Sequence, residues 1–254
     1  MLSRFFDLQS HLQPIGRCCG PGCRGGESAA SFYDEKYFAW QHTLGEQKAK
    51  HTNWTRLLHI NGSDTVLDYG AGTGAILSSL KGNGRRVAVE YNVHARRYMN
   101  TKHPSIATYQ YPEQVPLKSI DVIMSTSVIE HVECPIQELR ALRMALRDGG
   151  RVAIGIKNEG MELWRAWRSD NRDNHLYTWN SMLLGNLLRA AGFVVDRIQS
   201  QPPVSQYARL HEAAQNTSFG RFGPVFQYVW AFGHLPREGE RWPQKGNAQL
   251  IRRR

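Results

Sequence analysis

Residues 66–77 read VLDYGAGTGAIL: an apolar pair, a carboxylate, then glycines at positions 70, 72 and 74. Glycine inside a helix or strand costs roughly 0.5–1 kcal/mol relative to alanine. The spacing therefore asks what must approach the backbone so closely that a side chain would obstruct it. The flanking pattern supplies the setting. Short apolar runs, TVLD (65–68), RVAVE (86–90), the weaker ATYQ (107–110), IDVIMS (120–125) and RVAIGI (151–156), alternate with stretches predicted as helices over about 74–81, 94–101 and 135–147. The last of these helices has Pro135 in its first turn and Ile136, Leu139, Arg143 and Leu146 at helical spacing, and it stops at DGG. Apolar strands alternating with helices predict a parallel sheet covered on both faces. Right-handed crossovers make that sheet doubly wound.

Outward from this core the pattern continues in both directions. WNSMLLGNLLRAAGF reads as a helix with Asn180 as N-cap and Gly192 as its stop. Leu183, Leu187 and Ala191 form one stripe, with Leu184 and Leu188 beside it. FVVDRI (193–198) is the next strand, and after QPP the signal fades until NAQLIRR suggests a closing strand near 247–252. The fold expected is α/β, a doubly wound, mostly parallel, seven-stranded sheet. From Ser31, SFYDEKYFAWQHTLGEQKAKHTNWTRLL carries aromatics and then a helical pattern to Leu57 and Leu58, an N-terminal helical cap. Residues 1–30 are rich in Gly and Cys without periodicity and read as a flexible leader, leaving residues 31–254 as a single domain.

Composition limits the function. With 254 residues, 41% hydrophobic and 21% charged, the chain is an ordinary globular protein and not a disordered one. No apolar run approaches the ~20 residues of a membrane span. The N-terminal MLSRFFDLQSHLQPIGR lacks a continuous apolar core, against a secretory signal, though its shortage of acids also suits a transit peptide. A formal charge of +10 suits either an anionic partner or a solvated basic face. The four cysteines are Cys18, Cys19, Cys23 and Cys134, and CCGPGC offers no second pair at zinc-finger spacing. Reduced thiols and a cytoplasmic location are the default expectation.

TVLDYGAGTGAIL falls at the first strand-to-helix turn, in the crevice where open α/β sheets bind ligands. Gly70, Gly72 and Gly74 let the backbone bend and approach, and helix N–H groups point the same way. As G-x-G-x-x-A the stretch also fits a relaxed dinucleotide fingerprint, and Glu90 lies about twenty residues on, where a carboxylate grips ribose hydroxyls in either case. Asp68 discriminates. Opposite a pyrophosphate it adds repulsion, whereas opposite an ammonium or sulfonium it adds attraction. S-adenosylmethionine carries both cations and a ribose but no phosphate.

From about Thr65 to Ile198 the sequence resembles the class I S-adenosylmethionine-dependent methyltransferases. VLDYGAGTG is similar to their first motif, Glu90 to the ribose-binding acid after the second strand, DVIMSTSVIEHV to the fourth strand and its EH turn, and LRDGGRVAIGI to the loop and fifth strand. The resemblance implies a Rossmann-like methyltransferase fold. It places Asp68, Gly70, Ala71, Gly72, Glu90 and Tyr91 on S-adenosyl-L-methionine, with Ser125 and Thr126 along its methionine side. Many members have an acid after the third strand, near the adenine amino group; here TYQYPEQVP offers Gln110 or Tyr111. YFAWQHTLGE, VEYN and NHLYTWNSMLLGNLLRAAGF are also similar to small-molecule methyltransferases of glycan assembly, which implies a sugar hydroxyl as acceptor.

Methyl transfer from a sulfonium is an in-line displacement whose electrophile is already activated, so the protein mainly aligns it. A neutral hydroxyl also loses a proton, and His175 in DNHLYTW and His131 in IEHV are the candidate bases. Asp170 and Asp173 could orient His175. Tyr37, Phe38, Trp40, Trp164, Trp167, Tyr177 and Trp179 are either core or an apolar-faced sugar platform. Glu130 reads as a structural partner, Cys134 is not read as a nucleophile, and no metal site is expected. The expected partner is a small-molecule or glycan acceptor. An RNA methyltransferase is the alternative favoured by charge, against which stand the absence of an Asn/Asp-Pro-Pro-aromatic tetrapeptide and of any recognisable RNA-binding module. A Rossmann dehydrogenase is disfavoured by Asp68 and EHV, and a degenerate binding scaffold by the intact loop and Glu90.

Overall fold

The first apolar run is a strand, β1 (Val66–Tyr69), buried along its whole length. It belongs to a computed structural model that describes residues 52–158, 174–201 and 227–237, together with Glu35, Phe38, His42, Gly45, Glu46, Ala49 and Lys50. A single helical turn, α1 (Trp54–Leu57), precedes β1, with Asn53 capping it through Arg56 N–H. After β1 come α2 (Ala75–Ser79), β2 (Arg86–Val89), α3 (Val93–Lys102), β3 (Ile106–Tyr109) and β4 (Ile120–Thr126). Then follow α4 (Pro135–Ala145), β5 (Leu146–Asn158), α5 (Ser181–Ala191), β6 (Val194–Gln201) and β7 (Gln227–His234).

The strands form one seven-stranded sheet in the order β3-β2-β1-β4-β5-β7-β6. Pairings from β3 to β5 are parallel, while β7 runs antiparallel to both β5 and β6. The chain leaves β1 toward β2 on one side and returns to β4 on the other, so the strand order reverses beside the carboxyl end of β1. Alternate side chains feed two cores. Leu67, Val87, Val89 and Ile123 pack with Leu139 and Leu142 of α4 and Leu184 and Leu188 of α5. Val66, Ala88, Val122 and Met124 face Trp54, Ile76, Leu77 and Met99 on the other side. Each such aliphatic burial contributes about 1.5–3 kcal/mol, and together they make the sheet a rigid base for the loops at its edge.

Four expectations shift. The helix expected over 74–81 spans only Ala75–Ser79. Leu80 turns extended at ψ 132°, and Gly82 and Gly84 lie against the backbone of Gly62 and Asp64, where any Cβ would overlap. The helix expected to reach 147 ends at Ala145, because Leu146 already pairs with Ile120. The strand that completes the sheet is 227–234; the stretch near 247–252 lies outside the described residues. QYVWAFGH supplies apolar residues to both faces, Val229 and Ala231 to one core and Trp230 and Phe232 to the other, as a strand between two neighbours requires. The described helical residues near the N-terminus agree with a cap: His42 Nε2 and Tyr98 Oη of α3 are 3.0 Å apart, and Phe38 packs on the same ring. The 1–30 leader lies outside the described residues. Cys134 is disulfide-bonded, which corrects the expectation of reduced thiols at that position and removes it as a nucleophile.

Candidate active site

The three glycines have separate reasons. Gly70 (φ 78°) lies under Val128, whose methyls would overlap any Cβ. Gly74 (φ 76°) lies against Met99 and Ile106, both 3.0–3.1 Å from a built Cβ. A Cβ at Gly72 (φ 55°) would meet nothing within 4 Å. Two glycines are therefore demanded by the protein's own packing, and Gly72 alone faces open space. Ala71 beside it is buried, and so is Asp68 one step back on β1. Gly45 of the N-terminal helical residues approaches the same loop, with its built Cβ 3.4 Å from Thr73 Oγ1. Gly70→Ala is expected to lower folding stability by about 1–3 kcal/mol, from strain and overlap. Gly72→Ala should cost only the φ penalty, about 1–2 kcal/mol, while losing more S-adenosylhomocysteine affinity than melting temperature. Thermal melts and ligand titrations of both variants check this; a larger melting loss at Gly72 would contradict it.

Glu90 ends β2 beside the loop. Its carboxylate accepts from Gly72 N–H and from Asn92 N–H, both at 2.8 Å. Burial pushes its pKa up, while those N–H groups and the nearby Arg96 charge oppose the rise. Arg96 Nη1 donates to the Glu90 and Tyr91 carbonyls at 2.5 and 2.7 Å, fixing the chain between β2 and α3. Asn92 caps α3 by accepting from His94 and Ala95 N–H, a role the VEYN motif did not disclose. The Tyr91 hydroxyl donates to Glu138 Oε2 at 2.9 Å, alongside Tyr69 at 3.1 Å, and its ring meets Tyr111 edge-on at 5.3 Å. Burial and the Glu138 charge hold the Tyr69 phenol well above its usual range. Gln110 and Tyr111 sit together beyond β3, Gln110 Nε2 donating to Tyr111 Oη at 3.0 Å, and Gln114 Oε1 caps both backbone N–H groups.

On the other side of β1, Ser125 Oγ donates to the Tyr69 carbonyl at 2.9 Å, tying β4 to β1. Thr126 is buried, and its Oγ1 has no hydrogen-bond partner among the described residues. Such an orphaned hydroxyl costs about 1–3 kcal/mol and marks a place where a ligand can complete the bonding. Ser127 then takes φ 57°, held by its N–H on the Gly155 carbonyl at 2.9 Å and its hydroxyl on Tyr228 Oη at 2.7 Å. That bend lays a 3₁₀ turn, Ile129–His131, across the sheet edge, anchored by fully buried Ile129.

Both candidate bases arrive at this turn. Leu176 and Tyr177 N–H donate to the Glu130 carbonyl at 2.8 and 3.2 Å, and Tyr177 Oη donates to the Glu133 carbonyl at 2.7 Å. These bonds sew 174–177 onto the EH turn and set the His131 and His175 rings 4.7 Å apart at 71°. His131 Nδ1 lies 3.3 Å from the Asn174 carbonyl. Since a carbonyl only accepts, Nδ1 is the donor in that contact. Of the aromatic residues, Tyr177 and Trp179 pair at 5.8 Å beside this turn, whereas Phe38 packs on α3. Tyr37, Trp40, Trp164, Trp167, Asp170 and Asp173 lie outside the described residues.

The sheet has known counterparts. The methyltransferase bound to the Trm112 activator from Haloferax volcanii superposes with a TM-score of 0.59 at 16% identity, over 82% of this chain and 97% of that one. The 1,6-didemethyltoxoflavin-N1-methyltransferase of Burkholderia thailandensis, solved with S-adenosylhomocysteine, gives 0.54 at 18% identity over 82% and 86%. Malonyl-[acyl-carrier protein] O-methyltransferase from Marinomonas sp. (strain MWYL1) is 26% identical over 144 residues, covering 52% of this chain and 53% of that protein. The chain thus spans about half the length of that curated relative. The model of the family described as a methyltransferase domain matches residues 30–198, and the chain belongs to that family of S-adenosylmethionine-dependent class I methyltransferases.

Proposed function

We propose that this enzyme moves a methyl group from S-adenosylmethionine to a hydroxyl of a sugar or other small molecule. The observation that supports it most is the shared edge at β1, β2 and β4. The open space at Gly72, the Glu90 carboxylate and the orphaned Thr126 hydroxyl follow or end the parallel strands β1, β2 and β4 on one sheet edge, and His131 of the EH turn meets His175.

These residues fit the cofactor. The backbone of Gly70, Ala71 and Gly72 admits its close approach, and Asp68 adds negative charge opposite its cationic end. Glu90 accepts the ribose hydroxyls, Tyr91 flanks the adenosine side with Gln110 or Tyr111, and Ser125 and Thr126 line the methionine side. The bound cofactor supplies an activated methyl on a sulfonium. The protein's remaining tasks are to align the acceptor oxygen and take its proton, for which the His131–His175 pair is placed. An oxygen acceptor also figures in the name of the Marinomonas relative.

Among the described residues no helix is long and apolar enough to cross a membrane. The +10 charge keeps RNA as the alternative acceptor. Labelled methyl should enter a hydroxylated glycan or nucleotide sugar and not RNA or DNA. Label in RNA, with binding that falls steeply as salt displaces its counterions, would replace the sugar reading with the nucleic-acid one.

A further inference from the structure

Three ligand-bearing side chains converge where β4 meets the EH turn. Glu130 is only 2% exposed, and His131 and His175 are half-buried. One ligand atom from each lies within 4.8 Å of the other two. His131 is already arranged as metal-bound histidines are. Its Nδ1 lies 3.3 Å from the Asn174 carbonyl, and a carbonyl in that outer position is a common orienting partner of a histidine that ligates through its other nitrogen. The segment holding His175 is fixed to the carbonyl of Glu130 itself, so the elements bearing the three donors cannot drift apart.

We propose that Glu130, His131 and His175 bind one divalent transition-metal ion, with zinc the best match, leaving at least one coordination position open. Two imidazoles and a carboxylate suit zinc and its neighbours, whereas magnesium prefers oxygen ligands throughout. Zinc bonds of about 2.0–2.1 Å set tetrahedral ligands about 3.3 Å apart, so side-chain rotation must close a gap of at most ~1.5 Å. The open position would take water or the oxygen of an incoming acceptor. This last role rests on the proposed function: with metal bound the imidazoles would hold an ion that acidifies the acceptor hydroxyl, its proton passing to solvent, and in the metal-free protein they remain the bases that take that proton.

The test uses the full chain, freed of metal with EDTA and dialysed, then titrated with zinc by calorimetry. One equivalent should bind, and Glu130→Gln, His131→Ala and His175→Ala should each weaken it at least tenfold. His103→Ala, at the end of α3, should not. Because Glu130 is buried and replacing it disturbs the turn, His175→Ala, with its melting curve, is the decisive variant. Cobalt(II) in place of zinc reports the donors: thiolate ligands give intense near-ultraviolet charge-transfer bands, and nitrogen and oxygen donors do not. Zinc bound equally by wild type and a folded His175→Ala, or a thiolate band pointing to the leader cysteines, would overturn the site. S-adenosylhomocysteine is titrated into the same metal-free protein. If it binds and zinc does not, the metal site fails and the proposed function stands. If zinc binds and it does not, the metal site stands and the cofactor reading fails.

Discussion

His175→Gln is expected to lower kcat by ~10²–10⁴-fold, the usual worth of general acid–base catalysis, while S-adenosylhomocysteine binds as tightly as before. Glutamine keeps bulk and polarity but cannot take a proton. The segment is held by backbone bonds from Leu176 and Tyr177, which the substitution does not touch, so the turn should keep its shape. His131→Gln should have a comparable effect, since the two rings meet at 4.7 Å. Zinc affinity of the same variants separates a lost ligand from a lost base. Full activity in His175→Gln with loss in His131→Gln would move the base to the EH turn alone. If neither matters, alignment of an activated methyl donor suffices.

Glu90→Ala should weaken cofactor binding by roughly 1.5–3 kcal/mol, the worth of charged hydrogen bonds, or about ten- to 150-fold in Kd. The fold should survive, because losing the acceptor of the Gly72 and Asn92 N–H groups is partly offset by removing a charge that burial penalises. The sign of the pH effect follows. A carboxyl with a raised folded pKa adds no penalty below its ordinary range and the full penalty above its raised value. This group alone therefore stabilises the folded, ligand-free protein against unfolding as pH falls through that window. Cofactor binding runs the other way: protonation removes the acceptor of the ribose hydroxyls, so affinity should decline on acidification, at a higher pH than for an ordinary glutamate. Calorimetric titration with S-adenosylhomocysteine across mildly acidic pH measures both. Unchanged affinity in a normally melting Glu90→Ala would place the ribose contact elsewhere.

The sheet from β1 to β6 was legible because each strand with two covered faces needs a continuous apolar run, and α4 and α5 announced themselves by spacing and by their end residues. Asn180 and Gly192 frame α5 as expected: Asn180 accepts from Leu183 N–H, and Gly192 sits at φ 98°. β7 was missed for a physical reason. Its run follows a long stretch without periodicity, and YVWAF has no alternation to separate a strand from a buried helix. At the site, the glycines raised the right question, but their answer is divided. Only the structure shows that Val128, Met99 and Ile106 account for Gly70 and Gly74, leaving Gly72 to a ligand. The meeting of His131 with His175 was beyond sequence reasoning altogether. It depends on the Glu130 carbonyl receiving two backbone N–H groups from a distant loop, and carbonyls leave no residue-type signature. Glu130 was read as structural for the same reason, since nothing in IEHV reveals that a second histidine arrives beside it.

Thermal melting with S-adenosylhomocysteine and with NADH at equal concentration tests the central claim most directly. A ligand that binds only the native state stabilises by RT ln(1 + [L]/Kd), about 2.7 kcal/mol at a hundredfold excess over Kd. S-adenosylhomocysteine should raise the melting temperature and NADH should leave it unchanged, because Asp68 favours a cation where a dinucleotide would bring its pyrophosphate. A rise with NADH and none with S-adenosylhomocysteine would contradict the methyltransferase account at its root.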